Sequence, residues 1–168
     1  RCDWMSAEKA SDRRARRGHA RRDESFVGRA TEMQRITDLL ARDECRLLCL
    51  IGPGGVGKTR LAQAVAHALA GRFEQGVCWV DLAPAGDPAS VLPIVAAAAG
   101  LELAGVDPLK TLAAALARRH MLLVLDNCEH LLDARARLAD RLLRAAPRVK
   151  LLASSREPMR IPGEEVYP

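Results

Sequence analysis

Aromatic side chains are scarce in this chain of 168 residues: two Trp, two Phe and one Tyr make up 3% of it. So small a set gives little capacity for stacking nucleic-acid bases. It also leaves the interior to Leu, Val, Ile and Ala, a composition that suits helices packed on a parallel sheet. Long apolar runs are missing as well. None approaches the ~18 residues of a membrane span, and the N-terminus carries no apolar stretch of the signal-peptide kind. A cytoplasmic protein without membrane contact is expected. The five cysteines form no C-x-x-C pair. Cys45, Cys49, Cys78 and Cys128 sit in or beside apolar runs and read as reduced core thiols rather than ligands. Neither a structural zinc site nor a disulfide is expected.

The formal charge of +5 suggests a nucleic-acid partner until it is located along the chain. Residues 1–22 hold eight basic side chains (Arg1, Lys9, Arg13, Arg14, Arg16, Arg17, Arg21, Arg22) against Asp3, Glu8 and Asp12, which already accounts for the excess. The other 146 residues carry 18 basic and 18 acidic side chains and are formally neutral. The basicity belongs to a polar tail with no apolar helical stripe, read as a solvated linker in preference to a nucleic-acid arm. The folded domain is expected to span 23–168.

Against this background one stretch is dense in backbone freedom: IGPGGVGKTR, Ile51 to Arg60. Glycine and proline cluster where the chain must turn tightly or let something approach its backbone. Gly52-Pro53-Gly54-Gly55-Val56-Gly57-Lys58-Thr59 satisfies G-x-x-x-x-G-K-[ST], a motif that needs a strand before it and a helix after it. Arg46 to Ile51 is a short apolar run of strand length. Leu61, Ala62, Val65, Ala66 and Leu69 recur at helical spacing behind it. In that setting the backbone N–H groups and the positive end of the helix converge on a phosphate. Lys58 is expected to reach the β- and γ-phosphates and the Thr59 hydroxyl to ligate Mg²⁺. The nucleotide-binding stretch is taken through Arg60.

Strand and helix signals alternate through the rest of the chain. Thr31 reads as the N-cap of a helix carrying Met33, Ile36, Leu39 and Leu40. The P-loop helix ends near Gly71. Val77 to Asp81 reads as a second strand, and Pro88 and Pro108 open two further helices, the second running to Arg119. Met121 to Leu125 is a continuous apolar run of the kind found in central parallel strands. A helix from about Asp133 to Ala145 and a fourth strand from Val149 to Ala153 follow. The fold class is α/β: a P-loop NTPase with a doubly wound, mainly parallel sheet flanked by helices and ligands outside the carboxyl ends of the strands.

Those carboxyl ends hold the remaining candidates. Asp126 follows the most apolar strand, where a P-loop NTPase needs an acid to share Mg²⁺ with the threonine. Glu129 could position an attacking water or simply start the next helix, where negative charge is favourable. His130 reads as a solvated loop residue. Arg156, after Ser154 and Ser155, can place a planar guanidinium on a phosphate and so sense the γ-phosphate; the alternative is a surface arginine paired with Glu157 or Glu164. Asp81 could reach the site through water or act locally in its turn.

Together these segments resemble the nucleotide-binding domain of STAND ATPases, in particular the NB-ARC-like module of bacterial transcriptional regulators of the AfsR/SARP and LuxR-type kinds. The resemblance rests on Phe26-Val27-Gly28-Arg29, GPGGVGKTRLA at 52–62, WVDLAP at 79–84, MLLVLDNCEHLL at 121–132 and LLASSREPMRIPGEEVYP at 151–168. It spans nearly everything after the tail, in the family's order. The resemblance implies that Phe26, Val27 and Arg29 lie beside the adenine, that Asp126 is the Walker B acid and that Arg156 is the sensor arginine. It also implies a slow ATP/ADP switch controlling the assembly or output of a larger protein, a homo-oligomer being one form of the ATP-bound state. Asn127 stands where many related ATPases carry a second acid, which argues against fast water activation unless Glu129 takes that role. The family continues beyond the position of Pro168 into lid domains, so lid and output domains on a longer chain are expected partners.

Three function classes follow. The leading one is an ATP/ADP-binding regulatory module with slow Mg-dependent hydrolysis, in which Lys58, Asp126, Glu129 and Arg156 carry the chemistry. A vigorous ATPase or small-molecule kinase is the alternative, though no segment offers a clear acceptor pocket. A nucleic-acid protein using residues 1–22 is the third, and DNA binding is not expected from the domain itself. The absence of an Asn/Thr-Lys-x-Asp guanine-selecting motif favours ATP over GTP.

Overall fold

The computed structural model describes residues 29–103, 105–127 and 131–168. Phe26, Val27, Cys128, Glu129, His130 and the basic segment 1–22 lie outside the described residues. Four apolar segments form strands where the sequence places them: β1 (Leu47–Ile51), β2 (Val77–Asp81), β3 (Met121–Asp126) and β4 (Val149–Ser155). A fifth strand, β5 (Glu164–Tyr167), adds to them. It carries two glutamates and an exposed Val166, so it lacks the apolar run or clean alternation that marks a strand in sequence.

The strands run parallel in the order β2-β3-β4-β1-β5. In the interior strand β3 all six residues are buried, as a strand covered on both faces requires. Pairing of β1 with β4 sets Leu47 opposite Leu151 and Ile51 opposite Ser155. The carboxyl ends of β1, β4 and β3 therefore stand side by side at one edge of the sheet.

The two-residue period of the strands divides the core. Leu48, Leu50, Leu122, Val124 and Leu152 face α1 (Ala30–Ala41) and α2 (Lys58–Leu69), where they meet Ile36, Leu40, Leu61, Val65 and Leu69. Leu47, Cys49, Leu123, Leu125 and Leu151 face the other side. There they meet α3 (Val91–Ala98), α4 (Pro108–Ala117) and α5 (Leu132–Ala145) through Val95, Leu112, Leu116, Leu138 and Leu142. Burying each Leu contributes about 2 kcal/mol. Cys45, Cys49 and Cys78 are buried, in keeping with their reading as core residues.

Helix ends are closed by identifiable groups. Asp87 Oδ1 accepts from the N–H groups of Ala89 (2.8 Å) and Ser90 (3.0 Å) ahead of α3. Asp107 Oδ1 accepts from Lys110 N–H (3.0 Å) ahead of α4. At the other ends, orphan carbonyls are met by cations. Arg46 donates to Leu143 O and Ala146 O, both at 2.6 Å, behind α5, and Lys150 donates to Leu40 O (2.8 Å) behind α1. One expectation is corrected: Thr31 is not an N-cap. Helix α1 begins at Ala30, with Arg29 at the cap position, so Thr31 lies inside the first turn. Arg29 is drawn to the P-loop by the contacts described next.

Candidate functional site

The loop after β1 is anchored where Gly52 N–H donates to Ser155 O (3.2 Å) at the end of β4. It closes at Gly57, whose φ of 89° lies in the left-handed region and which precedes the first residue of α2. Two arginine side chains lie against this loop. A Cβ on Gly57 would stand 3.0 Å from Arg29 Nη1, and a Cβ on Gly54 would stand 3.4 Å from Arg156 Nη2. At Gly57, where φ is also left-handed, glycine allows both the turn and the close approach of Arg29. Arg29 also donates to Val56 O and pairs with Glu32 at 3.7 Å.

Lys58, on the first turn of α2, curls over the loop and donates to Gly52 O (2.8 Å) and Pro53 O (2.9 Å). One residue on, Thr59 Oγ1 donates to Asp126 Oδ1 at 3.1 Å, across a separation of 67 residues. Asp126 is 1% exposed. Its Oδ1 also accepts from Ser154 Oγ at the end of β4. A hydroxyl and a carboxylate held together beside a phosphate loop form a hard oxygen pair that suits Mg²⁺, which is commonly held by one or two protein oxygens with phosphates and water completing the shell. Pro53 to Val56 and Arg60 are exposed, and Gly52, Gly57, Lys58 and Thr59 are half-buried.

Asn127 leaves β3 with φ 57°, a left-handed conformation that asparagine tolerates better than most residues. Its side-chain amide donates to Asp81 Oδ1 (2.9 Å) at the end of β2, and its N–H to Ser154 Oγ (3.4 Å). Asp81 Oδ1 also accepts from Ala83 N–H (2.9 Å). Of the two readings of Asp81, the local turn role is present, together with a link to Asn127. Glu164, one of the two alternative partners of Arg156, has a carboxylate that accepts from Met159 N–H (2.7 Å) and Arg160 N–H (2.6 Å).

The structure thus brings Lys58, Thr59, Asp126, Arg29 and Arg156 to one loop. Sequence reasoning missed Ser154 as a ligand of Asp126 and the Asp81–Asn127 link. A hydroxyl residue at the end of a strand beside the acid was the available signal for Ser154.

Residues 25–153 match the family model described as AAA ATPase domain. The chain belongs to this family. Membership in an AAA ATPase domain family implies nucleotide binding. A Mycobacterium tuberculosis protein carrying the name HTH-type transcriptional regulator Rv0890c is 47% identical over 127 residues, which cover 75% of this chain and 14% of that protein. Regulatory protein AfsR of Streptomyces coelicolor is 31% identical over 68% of this chain and 15% of its own length. Among solved structures, Cdc6p of Pyrobaculum aerophilum superposes with a TM-score of 0.61 at 19% identity, over 83% of this chain and 42% of that one. That likeness concerns the fold. The chain therefore spans about one seventh of the length of the named regulators it matches. Among the described residues no helix is long and apolar enough to cross a membrane.

Proposed function

We propose that this AAA ATPase domain is the ATP/ADP-binding switch module of a STAND-type, NB-ARC-like transcriptional regulator, with slow Mg-dependent hydrolysis. The observation that carries the reading is the 3.1 Å contact between Thr59 Oγ1 and Asp126 Oδ1 beside the lysine-bearing loop. Thr59 and Asp126 would hold Mg²⁺, which would supply charge neutralisation at the phosphates when bound. Lys58 exchanges its Gly52 and Pro53 carbonyl partners for phosphate oxygens, and the N–H groups of the loop and of the first turn of α2 supply further donors. Arg156, against Gly54, answers to the γ-phosphate. Arg29 with Phe26 and Val27 forms the base side of the site, and Arg60 borders the phosphates.

Slow turnover is supported by Asn127, whose side chain is turned to Asp81 and brings no second carboxylate to the phosphates; Glu129 is the remaining candidate base. The proposal extends to a linker at 1–22, a domain at 23–168 and lid and output domains on a longer protein, with self-association in the ATP state. The names of the two regulators support the regulatory part. The test is titration calorimetry of Mg-ATP and Mg-ADP against the chain and its Lys58→Ala variant, with phosphate release followed in parallel. Lys58-dependent binding with negligible turnover is expected. Tight binding that ignores Lys58, or rapid phosphate release, refutes the reading.

A further inference from the structure

Helix α5 turns an arginine into the protein interior. Arg135 is 0% exposed and shares the buried side of the helix with Leu138, Ala139 and Leu142. Burying a guanidinium is costly unless its donors are used, and an apolar residue of similar volume often serves packing as well or better. Here Nε and Nη1 have no hydrogen-bond acceptor among the described residues. Filling space is therefore a poor account of an arginine at this position. Its remaining donor gives a better one: Nη2 reaches Glu157 O at 2.9 Å.

Glu157 is the residue after Arg156, and its N–H donates to Ser155 Oγ at 3.2 Å. Both backbone polar groups of Glu157 are thus held, one from β4 and one from α5. Further along, Met159 and Arg160 are held by the Glu164 carboxylate. Arg156 itself is exposed, with its guanidinium against Gly54 of the phosphate loop. An exposed, flexible side chain keeps such a place more easily when the backbone beneath it is fixed.

We propose that Arg135 is a positioning residue for Arg156. By holding the Glu157 carbonyl from within α5, it fixes the stretch after β4 so that Arg156 stays at the phosphate loop, and it ties that placement to the position of α5. The inference rests on the reading of Arg156 as the group that tells ATP from ADP. It adds a residue outside every phosphate-binding motif.

The test uses Arg135→Met, which keeps volume and removes the donors, and Arg135→Lys, which keeps charge and loses the planar fork. Each is made alone and with Arg156→Ala. Hydrogen exchange of the amides of Arg156, Glu157, Met159 and Arg160 is followed without nucleotide, and Mg-ATP and Mg-ADP affinities are measured by calorimetry. Faster exchange in 156–160 is expected while the strands stay protected. The ATP-to-ADP affinity ratio is expected to fall on the order of tenfold, the effect of losing one charge-assisted hydrogen bond. In the Arg156→Ala background the Arg135 change should have no further effect on that ratio. Unchanged exchange in a folded variant overturns the proposal. So does an equal fall of the ratio with and without Arg156. If Arg135→Met fails to fold, Arg135→Lys supplies the same readouts. A ratio unmoved by Arg156→Ala alone refutes the sensor reading and the proposal's link to nucleotide, and it is recognisable because the exchange measurement, which needs no nucleotide, still reports on the tether.

Discussion

Ser154→Ala isolates what holds the acid of the site. The Ser154 hydroxyl donates to Asp126 Oδ1, which also accepts from Thr59. With Asp126 1% and Ser154 3% exposed, water has no ready access to replace the lost donor. A hydrogen bond to a charged group contributes about 1.5–3 kcal/mol. Thr59 remains after the change, and the 3.4 Å contact from Asn127 N–H that is also lost is long and weak. A loss of about 2 kcal/mol is expected at pH 7. For a domain of this size that corresponds to a fall in Tm of about 4–8 °C, read by calorimetry on the nucleotide-free chain. Asp126→Asn supplies the second axis of a double-mutant cycle. Against the neutral amide the same Ser154→Ala change should cost about 1 kcal/mol. A stability within about 0.5 kcal/mol of the parent, or an equal cost in both backgrounds, would mean that the hydroxyl serves packing and not the carboxylate.

Two further outcomes are open to direct measurement. Asn127→Asp places a second carboxylate beside Asp81, across a contact that is 2.9 Å in the parent; it should destabilise the domain by about 1–2 kcal/mol without raising phosphate release, and Asp81→Asn added to it should restore stability by reversing donor and acceptor. A more than tenfold rise in turnover with Asn127→Asp would contradict the assignment of this side chain to β2. Burial, reinforced by the Glu165 carboxylate, pushes the Cys45 thiol from 9.0 up to about 12. The native thiol should therefore resist alkylation at pH 8, as read by peptide-resolved mass spectrometry. Because the unfolded chain releases this proton near pH 9 while the folded chain retains it, the Cys45 contribution to stability should decline as pH rises from about 9 toward 12. Rapid native labelling would contradict the burial.

Much of the fold could be read because its signals are local. LLCLI, VCWVD and MLLVLD are short apolar runs bounded by turns, and the G-x-x-x-x-G-K-T spacing fixes a strand, a loop and a helix at once. Asp126 could be located because the acid stands at the end of the most buried strand. What escaped was set by partners distant in sequence. β5 exists because β1 offers it an edge, and its own four residues carry little sign of a strand. Ser154 and Asp126 are 28 residues apart, and Asp81 and Asn127 are 46 apart; only the order of the strands brings them together. Thr31 looked like a cap because its residue type suits one, yet Arg29 is anchored to Val56 and the helix starts behind it.

The place of β1 in the sheet has a consequence for how the protein is made. Both its neighbours come late: Leu47 pairs with Leu151 on one side and with Glu164 on the other. At synthesis rates of about 5–20 residues per second, that interval of a hundred residues lasts roughly 5–20 s. During it the apolar LLCLI segment has no strand partner, and the phosphate loop behind it lacks the Ser155 carbonyl that anchors it and, until β3 is made, the acid that faces Thr59. The nascent chain is most exposed to aggregation in that window. Nucleotide cannot rescue it, because the site that would bind nucleotide is finished only when β4 has closed the sheet.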